Sequence, residues 1–235
     1  MVFCDADIVL AEGALDAAVA EMRHQSADVF SVFPCQITGS CGERLIIPLI
    51  DDVLLCFLPF RLLSLDVPAA ATANGSLFAF TRSAYTQLHG FAAVRECFGN
   101  EDVMMARRTR RAGLKLGLAL GGPLVQTRMY ESYREVIAGM ARGLLPVTGG
   151  SRVRLAAAAG WHLAAYSAPW WLAPHSPRWA LPLSLGVLER LLVERKTQHG
   201  AGWQALLTPW SPLAALPLFA QAMRERQQWK GRSYS

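Results

Sequence analysis

The chain has 235 residues, of which 52% are hydrophobic and 17% charged, and its net charge is +5. The length suits one large domain or two small ones, and no nucleic-acid fold signature accompanies the basic balance. Five cysteines, odd in number and without a C-x-x-C pair, argue against a disulfide framework or a zinc site and read as reduced thiols.

The charge deficit is uneven. No Asp, Glu, Lys or Arg occurs in residues 155–177 or 203–223. Residues 1–150 therefore read as a globular α/β domain and 151–235 as a separate, apolar region, with "VTGGSR" (147–152) between them.

Taken in chain order, residues 2–4 predict the end of a strand. Residues 10–24 have helical spacing and good helix formers despite Gly13. "ADVFSVFP" reads as a second strand and "CQITGSCG" as a loop. The apolar stretch 43–65, interrupted by Pro48 and Pro59, reads as a buried helix or a membrane-surface helix. "NGSLFAF" is a strand after a turn signal. Thr81 caps a short helix that Gly90 ends. "NEDVMMARRTRRAG" begins acidic and ends basic, as a helix with a complemented macrodipole does, and its four arginines read as a solvated or headgroup-facing surface. "LKLGLAL" and "PLVQTRMY" are candidate strands, and "ESYREVIAGMARGLL" is a helix. Alternating strands and helices make this part α/β.

Beyond the boundary, 155–177 is long enough for a membrane span, which needs about 20 apolar residues. Trp170, Trp171 and Trp179 cluster near its far end, as interfacial aromatics do. Residues 179–193 form a second apolar segment carrying Glu189 and Arg190. Residues 203–223 form a third, interrupted by Pro209, Pro212 and Pro217. Arg142, Arg152 and Arg154 before the first segment fit a cytoplasmic side. The expectation is a multi-pass inner-membrane protein with its globular part facing the cytoplasm; a buried helical subdomain is the other reading.

Three constellations could carry chemistry. Asp5 and Asp7, two apart at a strand end, can converge on a hard divalent cation that binds phosphate oxygens; equally, Asp7 can cap a helix. Glu101 and Asp102 open a helix, where an ionised carboxylate is favoured and ready to accept a proton; equally, they are good capping chemistry. In "QTRMY", Arg128 can pair with a diphosphate and Tyr130 can wall a ring pocket; both also suit an ordinary surface.

In order, these pieces resemble the membrane-bound family 2 glycosyltransferases. "CDADIVL" resembles their DxD segment. "ANGSLFAFTRSAYTQLHGFAAVRECFGNEDVMMARRTRRAGLKLGLA" is similar to their acceptor-site strand, acidic base motif and following helix. "QTRMYESYREVIAGMARGL" resembles a variant of Q-x-x-R-W in which only Thr127 separates Gln126 from Arg128. "WKGRSY" is similar to the closing motif of the subgroup that glycosylates hopanoids, carotenoids or ceramide.

The resemblance implies a partial GT-A (Rossmann-like) domain followed by a C-terminal α-helical membrane region. It also implies a UDP-linked nucleotide-sugar donor, a lipid or lipid-like acceptor, a divalent Mn or Mg ion, and inverting transfer at a membrane. By position, Asp5 and Asp7 would hold the metal and donor, Asp7 as the main ligand. Asp102 would be the general base with Glu101 beside it, and Gly75 would border the acceptor. Gln126, Arg128 and Tyr130 would hold the donor. The elements that hold the nucleoside base ahead of the DxD in such enzymes, and their N-terminal anchor, have no counterpart before Asp5, so the expectation is a C-terminal fragment. The alternatives are a non-catalytic membrane protein derived from such an enzyme and, ranked below it, a metal-dependent phosphohydrolase using Asp5, Asp7 and Asp102.

Overall fold

The computed structural model describes residues 1–52, 55, 67–68, 71–95, 97, 100–198, 202–224, 227–229 and 232–234. The chain divides into two compact units: Met1–Ile37 with Val53–Met129, and Thr38–Asp52 with Tyr130–Ser235. The division thus falls before residues 147–152, the expected boundary. That stretch is a corner between two helices of the second unit. Gly149 and Gly150 supply left-handed backbone at φ +65° and +74°, and the Ser151 hydroxyl accepts the Arg154 amide to cap the second helix.

The described strands of the first unit are β1 (Val2–Cys4), β2 (Ile8–Leu10), β3 (Val29–Phe33), β4 (Cys35–Gln36), β5 (Leu77–Phe80), β6 (Leu116–Leu120) and β7 (Val125–Thr127). Four form a mixed sheet in the order β1-β5-β3-β6, with β3 and β6 parallel and the other pairs antiparallel. The other three form a small sheet in the order β2-β7-β4. Every residue of β5 is buried, as are four of the five in β3. The four-stranded sheet is accordingly covered on both faces, which explains why "VFSVF" and "LFAF" lack polar–apolar alternation. Ala14, Ala18 and Met22 of the helix Ala14–His24 pack with Phe30, Val32 and Leu77. Met105 and Ala106 of the helix Glu101–Arg111 pack with Val29, Phe78 and Phe80.

Several local expectations shift. The first helix begins at Ala14 because Ile8–Leu10 pairs as a strand and Gly13, at φ +76°, turns the chain. The loop "CQITGSCG" contains β4 and the start of a helix, Cys41–Ile46, which Ser40 and Glu43 close with a capping box. Pro48 opens a separate short helix, Pro48–Asp52. Apart from Leu55, the remainder of the 43–65 stretch lies outside the described residues.

The core of the second unit joins Ile46 and Ile47 to Val136, Ile137 and Ala141 of the helix Tyr133–Val147, with Leu155, Ala215, Leu218 and Ala222. The expected C-terminal membrane region is not found: among the described residues no helix is long and apolar enough to cross a membrane. The multi-pass inner-membrane topology falls with it. The physical reasons lie in the sequence. Residues 152–175 break into the helix Arg152–His162, a π turn at Leu163–Ser167, a helix Ala168–Leu172 and a 3-10 turn Ala173–His175, with prolines at 169 and 174. The helix Ala180–Thr197 reaches 18 residues but carries Glu189, Arg190, Glu194, Arg195 and Lys196. The third segment is cut by its prolines into Trp203–Leu207, Ser211–Ala214 and Leu216–Ala222.

Two charges of that 18-residue helix, Arg190 and Glu194, are buried in ion pairs. Arg190, 3% exposed, donates to Asp52 Oδ2 at 3.0 Å and to Glu194 Oε1 at 3.1 Å. One guanidinium thus serves two buried carboxylates. Burial pushes Asp52 up from 3.8 to about 7; Arg190 pulls it down, and Glu189 and Asp51 push it up. Folding therefore takes up a proton between pH 3.8 and about 7. The contribution of Asp52 to stability is full below that window and is lost as pH rises through it. Urea unfolding at a series of pH values is expected to show this decline in the wild type and a flatter profile in Asp52→Asn.

Candidate active site

The candidate residues of the first unit assemble at one end of its four-stranded sheet. β1 ends at Cys4, opposite Leu77, where β5 begins. The register carries on past the strands, since the Asp5 amide donates to the Ser76 carbonyl at 3.0 Å. The next residue back, Gly75, donates its amide to Asp102 Oδ2 at 3.2 Å. The DxD corner, the NGS turn and the acidic helix start are thus joined by consecutive backbone groups.

On its other side the corner leads into the small sheet. β2 follows Asp7 and pairs with β7, setting Ile8 opposite Thr127 and Val9 opposite Gln126. The buried Thr127 hydroxyl donates to the Asp7 carbonyl at 3.2 Å. Gln126 is half-buried and Arg128, the next residue but one, is exposed. The two aspartates therefore lie on a short span between the strand next to the NGS turn and the strand next to the Gln–Arg segment. The chain passes into the second unit at Tyr130, whose ring is buried and packs against the Cα of Gly139.

Asp102 sits in the first turn of Glu101–Arg111. That helix is held by its far end: Arg108 Nε donates to the Leu88 carbonyl at 3.1 Å, and Arg110 Nη2 donates to the Leu116 carbonyl at 3.3 Å. Two arginines expected on a solvated face are thus tied to the fold. Asn100, the expected cap, makes no side-chain cap bond; the Val103 amide donates instead to Asp102 Oδ1 at 2.7 Å. Asp102 does capping work, as the simpler sequence reading held, but this does not exhaust it. The carboxylate accepts the Val103 amide on Oδ1 and the Gly75 amide on Oδ2, and a carboxylate offers about four lone-pair sites in all. Burial raises Asp102 from 3.8 to about 6; the Val103 and Gly75 amides oppose that rise and Glu101 adds to it. The group is ionised at neutral pH yet more basic than an ordinary aspartate, the combination a general base needs.

Asp5 is raised by burial and then by the charge of Asp7. Two hard oxygen donors that repel one another suit a divalent cation, which would relieve the repulsion. Among the described residues no three acidic, His or Cys side chains converge as a cation site.

No family model matches the chain, and no curated protein or solved structure matches it. The family resemblance of its motifs therefore rests on the residues themselves. A cavity of about 420 Å³ opens at the opposite end of β1 and β5, lined by Met1, Met22, Phe80 and Thr81, and contains none of the candidate side chains. It has no part in the arrangement.

Sequence reasoning passed over Ser31, Asn74 and Thr127, all of which bond to this corner or its turn. A visible signal was a hydroxyl in the middle of the apolar strand "VFSVF", because a buried hydroxyl is costly without a partner. The structure leaves room for a small side chain at Gly75. Its φ lies outside the left-handed region, and a Cβ there would stand 3.7 Å from Asp102 Cβ and 3.9 Å from Oδ2. Gly75→Ala is accordingly expected to fold with little change in melting temperature while crowding the carboxylate. Carbon-detected NMR is expected to place the Asp102 titration midpoint near pH 6 in the wild type, and higher in the alanine variant if the methyl group displaces water from the carboxylate.

Proposed function

We propose that the chain transfers a sugar from a nucleotide-sugar donor to the hydroxyl of a lipid-like acceptor, with inversion, using Asp102 as general base. The observation that carries this reading is the backbone linkage of the three motifs: Asp5 to Ser76, Gly75 to Asp102, and β2 to β7. Separately each motif is commonplace. Their convergence supplies paired carboxylates for a metal-bound diphosphate and a raised carboxylate for an acceptor hydroxyl.

In this mechanism Asp102 accepts the acceptor proton as the acceptor oxygen attacks the anomeric carbon. The bond from that carbon to the diphosphate oxygen breaks, and the diphosphate leaves with the electron pair. Gln126 and Arg128 would hold the diphosphate, Arg128 by charge-assisted hydrogen bonds. Asp5 and Asp7 would hold a Mg or Mn ion, which when bound offsets the charge of the leaving diphosphate. Gly75 would leave room beside the base for the acceptor. Support for a lipid-like acceptor comes from the second unit, which exposes Trp161, Trp171, Leu181, Leu185 and Leu192, a share of large apolar side chains suited to contact with lipid.

The test is release of UDP from UDP-hexoses with Mn and a detergent-dispersed lipid alcohol. Transfer is expected to weaken below about pH 6 as Asp102 protonates. Asp102→Asn is expected to lower the rate by about 10²-fold or more, with UDP–Mn binding in calorimetry unchanged. Undiminished turnover in that variant would remove Asp102 from the mechanism. A wild type that binds neither UDP nor Mn would favour the non-catalytic reading.

A further inference from the structure

The turn that presents Gly75 to Asp102 is held by side chains that neither the motifs nor the proposed chemistry use. Ser31 lies in β3, between Phe78 of β5 and Leu118 of β6, and is fully buried. Its hydroxyl donates to the Asn74 carbonyl at 2.8 Å and accepts the Asn74 amide at 2.9 Å. One side chain therefore pins both backbone polar groups of the residue before Gly75. Asn74 in turn accepts the Ser76 amide on Oδ1 at 2.9 Å, closing an Asx turn over Gly75. The Ser76 carbonyl then takes the Asp5 amide.

Packing does not call for a hydroxyl at position 31. An alanine would occupy nearly the same space in a buried apolar strand without the desolvation cost of an oxygen. The two bonds to Asn74 are what offset that cost. With the Asn74 amide and carbonyl engaged by Ser31, and the Ser76 amide by Asn74, the peptide plane of Gly75 is held from both sides and its N–H is directed at Asp102. Freed from this hold, the turn would rotate that N–H away and leave the carboxylate one donor short.

We propose that Ser31 and Asn74 are positioning residues for sugar transfer: they clamp the Asn74–Gly75–Ser76 turn so that the Gly75 amide orients the Asp102 carboxylate. This rests on reading Asp102 as the base, while the clamp itself can be measured without turnover.

The experiment compares wild type, Ser31→Ala, Asn74→Ala and Asn74→Ser in the full chain. Amide exchange at Gly75 is followed by NMR without substrate, and UDP release is measured with UDP-hexose, Mn and a lipid alcohol. Both alanine variants are expected to speed Gly75 exchange and to lower kcat about tenfold, with the calorimetric UDP–Mn affinity unchanged. Asn74→Ser, which keeps a side-chain acceptor for the Ser76 amide, is expected to recover much of both losses. Asn74 is half-buried and outside the sheet, so its variants carry the test should Ser31→Ala lose the fold. Unchanged Gly75 exchange in folded Asn74→Ala would overturn the clamp. Faster exchange with an undiminished kcat would overturn its role in positioning. An inactive wild type in which the alanine variants still loosen Gly75 would sink the transfer reading and uphold the clamp.

Discussion

The hydrogen bond from the Gly75 amide to the Asp102 carboxylate joins two parts of the first unit that lie far apart in the chain. One is the turn entering a central strand; the other is the first turn of a helix 27 residues later in the chain. Because the next carbonyl, that of Ser76, receives the amide of Asp5, the same turn also fixes the acidic corner at the end of β1. Every candidate group in this unit is placed relative to that one short turn.

The electrostatics follow from the placement. Asp102 is withdrawn from water far enough for its affinity for a proton to rise, while backbone amides, its own among them, keep it from becoming a neutral acid. Asp5 rises as well, with Asp7 contributing through its charge. Burial is the first cause of both rises, and at Asp5 the charge of Asp7 adds to it. The second unit handles buried charge differently: Arg190 is enclosed between Asp52 and Glu194 and ties the helix Ala180–Thr197 to the short helix Pro48–Asp52. There the ionic groups join elements of one core.

How far the sequence could be read depended on whether the relevant constraint was local. The strand at 29–33, the strand opening at Leu77, the Thr81 cap and the acidic-to-basic helix at 101–111 were all legible, because buried apolar runs, capping residues and charge gradients act over a few residues. The membrane spans were misread for an instructive reason. A lack of charge over 155–177 resembles a span in composition, but prolines at 169 and 174 shorten the helices, and the following helix carries five charges. Composition counted the residues; backbone geometry and a buried ion pair decided what they could form.

By itself the sequence determined the residue types at each corner: two aspartates after a strand, an acidic pair opening a helix, a Gln–Thr–Arg run, and a glycine in a turn signal. It also determined the local elements that present them, since propensity, capping and hydrophobic pattern are short-range. Only the tertiary structure decided that these corners meet, through the pairing of β1 with β5 and of β2 with β7. Only the tertiary structure, likewise, gave the Ser31 hydroxyl its partners 43 residues away. Strand pairing and hydroxyl partnering across such separations are chosen by how buried polar groups are satisfied once the core has closed, and no local pattern of residues encodes that choice.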